Sequence, residues 1–88
     1  IADAVGKRLG RLGEDRQVLC ITHLPQIAAA AEHHFVVEKT ARHGRTVSAA
    51  RPLGREERIA ELSRMLGGAD DAEAARYARR LVSTRRPA

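Results

Sequence analysis

The sequence predicts an α/β fold that does not close on itself, and three observations predict it. Val18, Leu19, Cys20 and Ile21 form a continuous apolar run without alternation, the pattern of a sheet strand covered on both faces. Helical spacing of apolar residues appears on both sides of that run. Yet the 88 residues contain few further runs able to lie beside it in parallel, so its neighbouring strands are expected from outside this chain.

Taken in order, the elements follow from local chemistry. Over residues 2–12, Val5, Leu9 and Leu12 recur at helical spacing, Lys7, Arg8 and Arg11 suit the negative C-terminal end, and Gly13 offers a stop. Glu14, Asp15, Arg16 and Gln17 make a polar turn into the apolar strand. Thr22, His23 and Leu24 follow it, with Pro25 suited to a first helical turn and good helix formers over 26–31. The strand-and-helix unit thus spans 18–31.

The next unit, 33–51, reads as an antiparallel hairpin. Its β-prone runs, 35–39 and 45–49, are separated by Thr40, Ala41, Arg42, His43 and Gly44, and Gly44 is able to take positive φ. Pro52 and Gly54 break the pattern. Two closing helices are then expected over 55–83. In the first, 55–66, Ile59, Leu62 and Leu66 share a face, Glu56 and Glu57 occupy the positive first turn, and Gly67 and Gly68 end it. In the second, Asp70 or Asp71 caps a helix with Ala74, Ala75, Ala78, Leu81 and Val82 on a small-residue face, and 83–88 is expected to fray as a basic tail.

Composition bounds the rest. The chain is 43% hydrophobic but only 2% aromatic, so any core is built from Ala, Leu, Val and Ile and is thin. Position 1 is Ile and the single Met is Met65, which reads as a piece of something longer. The lone Cys20 forms no internal disulfide and suits a reducing compartment. No apolar run approaches the roughly 20 residues that span a bilayer, and no signal peptide opens the chain; a cytoplasmic protein without membrane contact is expected.

Four sets of residues are candidates for chemistry. Thr22 and His23 stand at the carboxyl end of the apolar strand, beside a helix N-terminus, where open α/β sheets meet ligands and where unpaired N–H groups favour phosphate. The plainer alternative is that His23 bonds neighbouring backbone. Cys20, His23, His33 and His34 are metal-ligand types, but their spacing fits no closed zinc pattern.

Arg76, Arg79, Arg80, Arg85 and Arg86 are the candidate DNA-phosphate contacts, and the net charge of +5, from 16 Lys and Arg against 11 Asp and Glu, suits such a partner. Solvated arginine explains the same charge, because no base-stacking aromatics accompany it. His33, His34 and Ser48 lack a paired base and orienting carboxylate at a recognisable spacing.

The run Val18-Leu19-Cys20-Ile21-Thr22-His23-Leu24-Pro25-Gln26-Ile27-Ala28-Ala29 resembles the switch-histidine segment of ABC-type ATPases, specifically that of the RecN family of bacterial DNA repair proteins. Glu32-His33-His34-Phe35-Val36-Val37-Glu38-Lys39 resembles that family's following strand, and Glu61-Leu62-Ser63-Arg64-Met65-Leu66-Gly67-Gly68 its Ala-Arg-Met-Leu-Gly-Gly ending. The helix over 2–12 resembles the one that follows the D-loop. The resemblance covers nearly the whole chain, in the family's order.

It implies that 1–88 is the C-terminal lobe of an ABC/SMC-type P-loop ATPase head. His23 would register the γ-phosphate with Thr22 beside it, ATP and Mg2+ would be held between two heads of a homodimer, and the protein would act on DNA in double-strand-break repair and recombination, associated with the nucleoid. The chain contains no G-x-x-x-x-G-K-[ST] loop, LSGG-type signature or strand ending in Asp-Glu, so it is expected to complete no ATP site alone. The rival is a small basic DNA-binding or adaptor module, or a truncated product, without ATPase activity.

Overall fold

The computed structural model describes residues 1–68 and 70–83. Among these residues, four helices and one hairpin follow in the order α1 (Ala2–Leu12), α2 (Pro25–Ala29), β1 (Phe35–Arg42), β2 (Arg45–Pro52), α3 (Arg55–Met65) and α4 (Ala72–Ser83). This mixture of helices with a two-stranded antiparallel sheet is compatible with the α/β class.

The core is small, and the helices make it. Ala28 and Ala29 of α2, Ile59 and Leu62 of α3, and Ala78 of α4 form one buried cluster, flanked by Met65, Leu66, Leu81 and Val82. Leu62 and Ala78 are fully covered. Small residues on α2 and α4 allow the three helices to approach closely around Leu62. The Cα radius of gyration is 14.1 Å, against about 12 Å for a compact domain of this length.

Local chemistry sets the helix ends. The backbone N–H of Gly54 donates to Glu57 Oε1 at 3.1 Å, fixing the start of α3. Asp71, rather than Asp70, caps α4, with its Oδ1 accepting from the N–H groups of Glu73 at 2.9 Å and Ala74 at 3.4 Å. Between the two helices Gly67 takes φ +119°, and buried Ser63 donates its hydroxyl to the Gly68 carbonyl at 3.0 Å. A bidentate pair of Arg79 with Glu56, at 2.9 and 3.3 Å, ties α4 to α3 at the surface.

Two expectations are corrected. The loop expected over 40–44 is a two-residue turn: His43 and Gly44 both have positive φ, 52° and 76°, and β1 runs on through Arg42, which pairs with Arg45. A turn with two positive φ values matches the right-handed twist of the strands, so Thr40, Ala41 and Arg42 join the ladder. Second, Val18–Ile21 forms no strand. Leu19 is 89% and Ile21 96% exposed, because a strand exists only where another backbone pairs with it, and among the described residues β1 and β2 pair only with each other.

Candidate functional site at the Thr22–His23 turn

The turn is built by its own residues. Thr22 Oγ1 accepts from the Leu24 N–H at 3.0 Å, folding the hydroxyl back over the chain two residues on. Leu24 is the N-cap of α2 in extended conformation, and Pro25 opens the helix, where its missing N–H costs nothing. The Leu24 carbonyl then accepts from Ile27 and Ala28 at 3.1 and 3.0 Å. His23, between the bonded pair Thr22 and Leu24, is exposed and makes no side-chain hydrogen bond to any described residue. The alternative in which it satisfies local backbone is not what the structure contains.

Three anchors hold α2, which is only five residues long. Gly6 of α1 lies against it so closely that a Cβ there would come within 3.0 Å of the Gln26 carbonyl oxygen and 3.2 Å of Ala30 Cβ. Ala28 and Ala29 sit in the core. At the far end, Arg58 of α3 reaches across with Nη2 and donates to the carbonyls of Ala28 and Ala29, each at 3.0 Å, and of Ala31. The Ala28 carbonyl also accepts from the Ala31 N–H at 3.2 Å, so Arg58 reinforces the helix end and the turn that follows it.

Arg58 is 7% exposed and is the residue that sequence reasoning missed. In the run Arg55-Glu56-Glu57-Arg58 it reads as solvated surface; only its place at the edge of the Ile59–Leu62 stripe hinted otherwise.

The other candidates disperse. Cys20, expected inside a strand, is exposed, and no group of three or more His, Cys, Asp or Glu side chains that could hold a metal ion gathers among the described residues. His33 is exposed beside Glu32. His34 lies at the hairpin base, where its carbonyl accepts from the Leu53 N–H at 2.9 Å and its Nδ1 is buried without a hydrogen-bond partner among the described residues. Burial, and then the Arg58 charge, push its pKa below the ordinary 6.5, with Glu61 pulling weakly the other way. His33, His34, Arg55 and Arg58 line an open cleft of about 560 Å3 with Glu32 and Phe35. Ser48 is exposed on β2.

Of the arginines, Arg79 is paired with Glu56, whose carboxyl its hydrogen bonds and charge hold below the usual 4.5. Arg80 lies over the Tyr77 ring, 5.4 Å from its centroid. Arg76 is exposed on α4, and Arg85 and Arg86 lie outside the described residues. No helix among the described residues is long and apolar enough to cross a membrane.

No family model matches the chain. Curated proteins do. The chain is 50% identical over 82 residues to the DNA repair protein RecN of Deinococcus radiodurans, which is 93% of this chain and 14% of that protein. It is 47% identical over 81 residues to RecN of Mycobacterium tuberculosis, 91% of this chain and 14% of that protein. With RecN of Bacillus subtilis it shares 40% identity over 70 residues, 80% of this chain and 12% of that protein. Identity at this level along most of the sequence, spread across three bacterial genera, is homology: the chain is similar to a segment of RecN proteins that covers about 14% of the relatives' length.

Proposed function

We propose that this chain serves DNA repair as the C-terminal part of a RecN-type ATPase head, in which His23 contacts the γ-phosphate of ATP. The observation that carries the reading is the Thr22–Pro25 turn. It presents an exposed His23 side chain, free of hydrogen bonds to described residues, from a backbone locked by the Thr22 hydroxyl. The uncovered run just before it, with Leu19 and Ile21 facing solvent, is the surface on which the remaining sheet of a head would assemble.

In this reading the rest of the polypeptide supplies the phosphate loop and the carboxylate that positions water, and a second head closes the site over ATP and Mg2+, with DNA as the partner of the whole. The imidazole donates to the phosphoryl oxygens or orients the attacking water, so it acts by placing a donor where negative charge develops. Without those other parts the 88 residues turn over no ATP.

The test is the His23→Ala substitution in a complete RecN-type polypeptide carrying this chain. Losing one preorganised donor to the developing charge lowers kcat by about a hundredfold, while ATP affinity changes little, since the interaction strengthens only in the transition state. Turnover equal to that of the parent would overturn the reading.

A further inference from the structure

We propose that Arg58 is a positioning residue for His23: by clamping the end of α2 it sets the direction in which the Thr22–His23 turn faces. The proposal rests on the switch reading of His23 but is read out separately from it. A five-residue helix has no stability of its own, so the orientation of α2 is imposed by what holds it. Gly6 and the alanines supply close apolar contact, whose attraction is non-directional.

Arg58 supplies direction. One Nη2 meets the carbonyls of Ala28, Ala29 and Ala31, and hydrogen bonds from a charged planar group are the strong, geometrically specific kind. The guanidinium is nearly buried, so water does not replace it. Its backbone is fixed as well, since the Arg58 N–H donates to the Gly54 carbonyl at 2.8 Å in the first turn of α3. That turn is tied to the hairpin through Arg51, which bonds Glu57 at 2.7 Å and Glu38 at 3.1 Å. A path of bonded groups therefore runs from the hairpin through α3 to the helix that begins two residues after His23.

The experiment uses the complete RecN-type polypeptide with Arg58→Met, which keeps an apolar stem and removes the guanidinium, and Arg58→Lys, which keeps the charge on a shorter stem. Amide hydrogen exchange is followed over 24–31, with 72–83 in α4 as the internal reference. ATP turnover is measured in the parent and in the His23→Ala background. The expected result is faster exchange confined to 24–31 by about tenfold or more, a fall in kcat of about ten- to a hundredfold with KM unchanged, and no further fall when His23 is already Ala.

Unchanged exchange over 24–31, or equal acceleration in α4, overturns the clamp. A fall in turnover of the same factor in both backgrounds overturns the coupling to His23. Where Arg58→Met does not fold, Arg58→Lys decides by the same criteria, because its shorter stem keeps the charge but draws the donor back from the carbonyls that Nη2 reaches. Should His23→Ala alone leave turnover unchanged, the switch reading falls, and the exchange result by itself still decides whether Arg58 orients α2.

Discussion

Leu62 and Ile21 are aliphatic residues in two regions of one small chain, and they end in opposite surroundings. Leu62 is fully covered by α2, α3 and α4, whereas Ile21 is 96% exposed one residue before the Thr22–His23 turn. Hydrophobicity is alike, so hydrophobicity did not choose. What differs is the supply of partners: helices satisfy their own backbone and need only side-chain contact, while a strand needs another backbone beside it. The region that carries the candidate site is therefore the one whose surroundings this chain does not provide.

The largest expected effect tests that contrast. In the 88-residue chain, Leu62→Ala destabilises by about 3–4 kcal/mol, enough to abolish a cooperative urea transition in a domain this small. Ile21→Ala changes the midpoint by less than about 0.5 kcal/mol. In the complete RecN-type polypeptide the second substitution becomes costly as well, by about 2–4 kcal/mol. Equal costs for Ile21→Ala in the two settings would break the comparison.

A smaller effect separates the hairpin from the core. Gly44 has φ +76° and open space where a side chain would go, so Gly44→Val pays only a backbone cost, about 1–2 kcal/mol for a β-branched residue held left-handed. Amide shifts along β1 and β2 change in the NMR spectrum while the Leu62 methyl resonances stay in place. Movement of the Leu62 methyls would mean the hairpin and the helical core fold as one unit.

The same contrast explains what the sequence discloses. Helix ends are legible because Glu57 and Asp71 carry their caps in adjacent residues, and the hairpin is legible through Gly44. The loop length is not, since a positive φ at His43 is a choice the ladder makes for a residue that only tolerates it. The strand over 18–21 is misread in this chain because periodicity reports what a segment can pair with, and the partner is a property of other residues. Arg58 escapes notice for the same reason: its acceptors, the carbonyls of Ala28, Ala29 and Ala31, lie 27 to 30 positions away, and backbone carbonyls carry no mark in a sequence.

The smallest effect concerns His34, where the hairpin base meets the Arg58 guanidinium. Its folded pKa lies below 6.5 because burial and then the positive Arg58 disfavour the imidazolium, so folding favours the neutral ring. The stability this contributes is complete above pH 6.5 and is lost as pH falls through the depressed value.

Glu56, Glu57 and Glu61, each held below 4.5 chiefly by hydrogen bonds from Arg79, from the Gly54 N–H and Arg51, and from Arg64 respectively, also lose stability on acidification, but only below 4.5. The two losses begin at different pH, one below 6.5 and the other below 4.5. His34→Gln therefore flattens the fall in urea midpoint that sets in below pH 6.5 and leaves the carboxylate-driven fall that sets in below 4.5. A parent chain with no slope setting in below pH 6.5 would mean that the His34 ring is as comfortable charged as neutral beside Arg58, and that burial at the hairpin base does not govern its charge.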